Sequence, residues 1–345
     1  MEIIASKPTI TRKELEKVLD CLIKDELTSG DTVKNFETSL ANLVQKKYAV
    51  ATNSLTSAYH LAYQALGINN EESEVIIPSF MSSAPLNALK IAGGKPVLID
   101  NEKNAFTPST DLIKEKVTSK TKALVIHHPF GSFFDYQEIK DLDLPIIEDI
   151  SEAIGTEIDF NPTGSRGNIT VASFAPSMII TTGNGGMILT NNSSYFSTIK
   201  ELSGLISGKL NYEYQITSLQ AAMGFSQLSR IKAFLKRRRE IAQAFNEALK
   251  TTPHKTVVPY NQNFAYQSFP ILFEAPSDKI EKFWKNSKVE ITKSLENPLH
   301  TLLSFPGEGF PNADRLSKKL YSLPLYPTLT KKEIEKLSNL LASFI

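Results

Sequence analysis

A disulfide within this chain is excluded by arithmetic, because Cys21 is the single cysteine among 345 residues. It lies in an apolar helical pattern and reads as a buried structural thiol suited to a reducing compartment. A charge excess of one sign is also missing. The 38 Lys and Arg residues balance 37 Asp and Glu, a formal net charge of +1, so nothing marks a nucleic-acid or membrane-surface partner. No apolar run approaches the roughly 18 residues of a membrane span. The N-terminus lacks a basic-then-apolar leader, so a cytoplasmic protein is expected. No His/Cys/Asp spacing suggests a metal site, and neither a Ser-His-Asp nor a Gly-x-Gly-x-x-Gly pattern stands out. The one basic cluster, Lys236-Arg-Arg-Arg239, sits in a helical pattern with acids nearby and reads as a solvated helix face.

What remains is globular material, 41% apolar and 22% charged, long enough for two domains. Helical spacing covers 11–25 and Val33–Val44. Asn53-Ser-Leu-Thr-Ser57 caps a further helix that runs to Leu66 and stops at Gly67. Continuous apolar runs at Lys47–Ala51, Glu74–Pro78, Pro96–Asp100, Thr121–His127 and Pro145–Asp149 read as strands. They alternate with helical stretches at Ser83–Ala92, Asp111–Val117 and Tyr136–Leu142. That alternation predicts an α/β fold with a mostly parallel sheet covered on both faces. Shorter strands follow at Val171–Ala175 and Gly186–Thr190. A polar crossing at Gly204–Thr217 leads into one long helix from Ser218 to about Leu249. Beyond it come strands near Thr256–Val258, Ala265–Leu272 and Val289–Ile291, and a last helix at Lys331–Ile345. The expected division is a large domain, residues 1–240, and a smaller α+β C-terminal domain, residues 241–345.

Several short motifs recur in a telling order. They include Leu27-Thr-Ser-Gly-Asp-Thr-Val33 with Phe36-Glu37, Asn53-Ser-Leu-Thr-Ser57, Val75-Ile-Ile-Pro-Ser-Phe80 and Ala92-Gly-Gly-Lys-Pro96. His128-Pro-Phe-Gly131, Ile147-Glu-Asp149 and Ser173-Phe-Ala-Pro-Ser-Met178 follow. Pro298-Leu-His300, Phe310-Pro-Asn-Ala-Asp314 and Ser322-Leu-Pro-Leu-Tyr-Pro327 close the series. Each is weak alone. Their number, order and spacing resemble the DegT/DnrJ/EryC1/StrS family, the nucleotide-sugar aminotransferases of pyridoxal-phosphate (PLP) fold type I. The resemblance implies that fold for the large domain and sugar or polysaccharide biosynthesis as the setting.

It also implies roles by position. Met178 falls where the family has its Schiff-base lysine, and a thioether can neither form an aldimine nor move a proton. Asp149 falls at the partner of the pyridine nitrogen, and Glu152 where glutamine or histidine flanks the ring. Thr56 and Ser57 open the helix whose N–H groups hold the phosphate, with Leu55 in place of a glycine. Ser173 matches the phosphate-binding serine, and Ser82 takes the place of the stacking aromatic. Glu213 falls where an asparagine reaches the partner subunit's phosphate, and a one-gap shift puts Asn211 there instead. His300 matches a substrate contact beside the sugar nucleotide.

The resulting expectation is a degenerate homologue with no cofactor. It would bind a nucleotide sugar as a regulatory protein, or serve as the inactive partner of an active paralogue, most readily as a homodimer. The alternatives are a sugar dehydratase using pyridoxamine phosphate (PMP), with His128 or another group as base, or an active PLP-dependent aminotransferase.

Overall fold

Several helices of this chain begin where side chains cap them. Thr11 with Glu14, Thr217 with Gln220 and Thr330 with Glu333 form reciprocal capping boxes, each satisfying backbone N–H groups that a helix start leaves open. The computed structural model describes residues 2–28, 30–103, 105–135, 137–206 and 208–344. The helices are α1 (Arg12–Ile23), α2 (Asp31–Leu43), α3 (Leu55–Ala65), α4 (Ala84–Ala92), α5 (Thr110–Lys116), α6 (Ser193–Ser203), α7 (Ser218–Leu228), α8 (Ile231–Leu249), α9 (Ser277–Asn286), α10 (Leu299–Leu302), α11 (Pro311–Lys319) and α12 (Lys331–Ser343).

The strands of the large sheet are β1 (Tyr48–Thr52), β2 (Glu74–Pro78), β3 (Lys95–Ile99), β4 (Thr121–His127), β5 (Ile146–Asp149), β8 (Ile169–Ser173) and β9 (Gly186–Thr190), with β6 (Glu157–Ile158) and β7 (Asn161–Pro162) forming a separate hairpin. Their order is β1-β9-β8-β5-β4-β2-β3. All pairs are parallel except those of β9, which runs antiparallel to β1 and β8. The parallel strands are apolar throughout because both faces are covered. Val75, Ile77, Val125 and Ile147 pack with α3 and α4 residues on one face. Ile76, Leu124, Ile126 and Ile146 pack with Ile113 of α5 on the other. This is the α/β architecture expected from the alternating pattern.

The second sheet, β10 (Phe269–Leu272), β12 (Leu320–Leu323) and β11 (Thr292–Lys293), is antiparallel and has its own core around Trp284, Phe273 and Tyr321. Here the structure corrects several expectations. Thr256–Val258 forms no strand, and only the last four residues of Ala265–Leu272 do. The N–H groups of Ala265 and Gln267 go to the carbonyls of Gly131 and Phe130 in the large domain instead. Val289 makes only an isolated bridge to Ile3, and the strand begins at Thr292.

The single long helix is two. Ser229 and Arg230 break it, with the Ser229 hydroxyl donating to the Ser226 carbonyl and the Arg230 guanidinium paired with Glu14. Gln137–Leu142 is a 3₁₀ turn rather than an α-helix, and Tyr136 lies outside the described residues.

The Arg cluster is not a solvated face either. Arg238 is buried and donates to the carbonyls of Tyr266, Gln267 and Leu325, while Arg237 and Arg239 donate to those of Leu329 and Phe264. A planar fork of donors suits a junction full of unpaired loop carbonyls. Among the described residues no helix is long and apolar enough to cross a membrane.

One segment departs from its neighbours in the chain. Residues 299–314 pack on the large sheet's end. Leu299 donates its N–H to the Ser79 carbonyl, and its side chain joins the large domain's core. Asn312 and Ala313 donate to Asp100.

Candidate active site

Parallel strands point their C-terminal ends the same way, and ligands in such sheets bind beyond those ends. A cavity of about 500 Å³ lies there. It is bounded by the ends of β4, β5 and β8, the start of α3, the approach to α4, and Ser294 and Leu295 following β11. Register fixes its floor, since Asp149 ends β5 directly beside His127 of β4 and Val171 of β8.

Asp149 is held from two sides. Its Oδ2 accepts the Tyr59 hydroxyl at 2.7 Å and its Oδ1 the Ser151 N–H at 2.8 Å. Burial nonetheless raises its affinity for a proton, with those hydrogen bonds opposing. Glu152 follows on the same loop and accepts the N–H of Phe130. Burial, together with the nearby Asp149 charge, pushes it up to about 7 against that hydrogen bond.

Adjacent strand residues face opposite ways, and Glu148 has the contrary environment. It accepts His128 Nε2 at 2.9 Å and the N–H groups of Gly164 (2.8 Å), Arg166 (3.2 Å) and Gly167 (2.7 Å). Burial opposes ionisation there, but these donors hold the carboxyl down at about 2. His128 also accepts the Phe134 N–H on Nδ1, so both ring nitrogens are engaged. It borders the cavity without a nitrogen to spare for the role of base.

The remaining positions are placed as follows. Ser54 caps α3 by accepting the Ser57 N–H, and the Ser57 hydroxyl donates to Asn53. Leu55 and Thr56 border the cavity at this helix start, with Ser82 near the start of α4. Ser173 borders it too and accepts the Ala175 N–H. Met178 lies in the β8–β9 loop, half-buried, with its side chain on the cavity wall.

His300 stands apart. It is buried, with Nδ1 paired to Ser79 at 2.7 Å and Nε2 to Asp314 at 3.0 Å, and it does not border the cavity. Glu213 and Asn211 do not border it in a single chain; Glu213 is exposed and its N–H donates to Asn211. Their crossing is nevertheless tied to the α3 loop, since Asn53 N–H donates to the Tyr214 carbonyl.

Sequence reasoning missed Tyr59 and His127. The β4–β5 register carries the signal for His127, because it places that residue beside Asp149. Nothing in the sequence singles out Tyr59, which meets Asp149 from 90 positions away.

A family model for the DegT/DnrJ/EryC1/StrS aminotransferases matches residues 8–342. The chain belongs to that family. It is 30% identical over 360 residues to a GDP-perosamine synthase of Vibrio cholerae, covering 98% of each chain. Its fold matches the aminotransferase TlmJ of Streptoalloteichus hindustanus with a TM-score of 0.92 at 24% identity, over 99% of this chain and 98% of that one. It also matches Spr1654 of Streptococcus pneumoniae in its PLP form, with a TM-score of 0.90 at 21% identity over 99% and 98%. The seven-stranded sheet with a small C-terminal antiparallel sheet is thus the aminotransferase fold.

The family's cofactor can be tested against these walls. A pyridine nitrogen has its partner in Asp149, already oriented by Tyr59. Covalent attachment lacks one, because among the described residues no lysine or arginine borders the main cavity. The residues fit the ring and do not fit an internal aldimine.

Proposed function

We propose that this chain binds a nucleotide sugar at the ends of β4 and β5 and carries no internal aldimine. In this reading Met178 stands where the family has its lysine. One observation carries it: a cavity walled by Asp149, Glu152 and Met178 with no amine on it among the described residues. Covalent catalysis through an imine needs a primary amine at the reacting carbonyl. The chain then serves as a nucleotide-sugar binding or regulatory protein, or as the inactive partner of an active paralogue in sugar biosynthesis.

A dimer fits the exposed apolar stripe of α1, where Leu15, Leu19, Leu22 and Ile23 recur at helical spacing. Leu210 on the crossing is 96% exposed, and the same crossing carries Glu213.

A second reading has the retained Asp149–Tyr59 pair in its favour, together with the active enzymes among the relatives. In it Asp149 holds the ring nitrogen of non-covalently bound PMP, which supplies the amine that the cavity lacks.

An absorbance spectrum before and after adding PLP or PMP, followed by borohydride, separates these. The first reading expects no retained band, no covalent adduct, and a thermal shift with nucleotide sugars alone. A PMP-type band that survives dialysis favours the second. A borohydride-fixed adduct on a lysine overturns both and restores an aminotransferase.

A further inference from the structure

Arg238 is a buried charge without a counter-charge. It is 3% exposed. Burial alone pushes it down to about 10, and among the described residues no acid lies near enough to oppose that. Its three carbonyl partners, Tyr266, Gln267 and Leu325, all sit on Nη1 at 3.0, 3.0 and 2.8 Å. Nη1 carries two hydrogens and is fully engaged. Nε is sealed without a partner, whereas Nη2 makes no hydrogen bond among the described residues and is not sealed. The guanidinium therefore keeps one amino group, with two donors, for whatever enters the space beside it. A buried charge left unpaired destabilises the fold unless a counter-ion is at hand.

That space is a second, smaller cavity of about 210 Å³, walled by Arg238, Lys293 and a ladder of serines from the small sheet. Ser294 follows β11, Ser322 lies in β12 and Ser268 precedes β10. Their hydroxyls touch in turn, Ser294 to Ser322 at 2.8 Å and Ser322 to Ser268 at 3.3 Å. Arg238 meets this ladder at its Ser268 end, because the Gln267 carbonyl that Nη1 holds is bonded to the Ser268 nitrogen. The turns that build the corner are strained, with Phe130 at φ 59° and Tyr266 at φ 50°, a conformation kept only where the surroundings impose it. Gln267 N–H on the Phe130 carbonyl ties the two turns together. The one acid on the wall is Glu152, fixed by the Phe130 N–H and pushed up to about 7 by burial. Glu152, Phe130, Met178 and Ser294 also border the main cavity, so the two spaces share a wall.

We propose that the smaller cavity is a carboxylate subsite, with one oxygen on Arg238 Nη2 and the other on the serine ladder, and that it reads the acid group of a nucleotide-linked hexuronate. This rests on the nucleotide-sugar reading above. The groups present decide the ligand's charge. A guanidinium and an ammonium only donate, and each serine hydroxyl can turn its hydrogen toward the cavity. The sugar lies beside Met178, Glu152 and Ser294, the side chains common to both spaces. A neutral hexose there leaves the buried charge of Arg238 unpaired. A hexuronate carries its counter-ion with it, and a charge-assisted hydrogen bond is about twice as strong as a neutral one. A separate small acid would supply the same carboxylate without the sugar, and the experiment below tells the two sources apart.

Calorimetry on the full-length protein compares UDP-glucuronate with UDP-glucose and GDP-mannuronate with GDP-mannose, twins that differ only in the carboxylate. Free glucuronate and succinate are measured alongside. At least one uronate should bind about 10-fold or more tighter than its neutral twin. Ser268→Asp sets a competing carboxylate beside Arg238 and should cut that preference to about twofold or less. Ser268 does not border the main cavity, so the neutral twin should bind as before. Arg238→Gln should also remove the preference, with thermal melts checking that it folds; Ser268→Asp keeps the three carbonyl bonds and carries the test if it does not. Equal binding of the twins, with no binding of the free acids, overturns the subsite and leaves nucleotide-sugar binding standing. Free acids that bind, and are lost in Ser268→Asp, keep the carboxylate subsite and overturn the hexuronate. If no nucleotide sugar binds, the reading beneath this one fails, and the free acids alone decide the subsite.

Discussion

Two histidine–acid pairs lie one residue apart at the ends of β4 and β5, and they have opposite fates. His128 and Glu148 are closed, with every ring nitrogen and both carboxylate oxygens spent and the acid held at about 2. His127 and Asp149 are less fully bonded. The imidazole has no partner, and burial raises the acid's proton affinity although Tyr59 and Ser151 bond to it. Strand alternation sends Glu148 and Asp149 of β5 to different sides. The difference teaches that burial is not what marks a site, since both pairs are buried. What separates the pairs is how far their buried polar atoms are satisfied, the two His127 nitrogens being sealed without a hydrogen-bond partner.

The largest effect should come from breaking the closed pair. Glu148→Gln leaves His128 and three backbone N–H groups with a poorer acceptor. The shift from 4.5 to about 2 corresponds to about 3 kcal/mol. Chemical denaturation at pH 7 should show a loss of that order, whereas Asp149→Asn should cost about 1 kcal/mol or less. Because the folded-state pKa of Glu148 is depressed, its contribution is present above about 4.5 and disappears as pH falls toward 2. His127 is likewise depressed, so its contribution begins to fall away already below about 6.5. Acid melts of the natural chain should show both limbs, and Glu148→Gln should erase only the lower one.

Met178→Lys sharpens the comparison from the ligand side. An amine placed beside Asp149 and Glu152 should cost about 1–2 kcal/mol without cofactor. With added PLP it should produce an aldimine band that borohydride fixes. Absence of that band would mean Met178 does not occupy the lysine position.

The smallest expected effect is Glu152→Gln. Its carboxyl is raised to about 7, so its contribution is present below about 4.5 and lost as pH rises through 7. Thermal melts should therefore find the variant more stable than the natural chain at pH 8, by about 1 kcal/mol after allowing for cavity water. The gain should be gone at pH 5.

The α/β pattern and the family were legible because apolar runs and short motifs are local properties of the chain. Asp149, Glu152, Thr56, Ser82, Ser173 and Met178 do border one cavity, since strand ends and loop motifs place them there. What escaped depends on distant partners. The Arg cluster reads as solvated until three loop carbonyls are seen around Arg238. The small sheet was misplaced because its segments bond to large-domain loops and are too short to show a period. His128, the candidate base of the dehydratase alternative, is saturated by Glu148 and the Phe134 N–H, which no local motif could show.

The clamp on residues 299–314 has a mechanical consequence. Ser79, at the tip of β2, holds His300 through its hydroxyl and Leu299 through its carbonyl, while Asp100 holds Asn312 and Ala313. This stretch therefore travels as cargo of the large sheet although the chain around it belongs to the small one. On its far side the clamp runs on through α11 into the small domain's core, where Ala313 and Leu316 are buried, so the helix ties the two sheets rigidly together. On its near side the stretch 294–298 is irregular, and Ser294 and Leu295, which close the cavity, lie in it. Any give in the wall of the site therefore falls on that one short stretch.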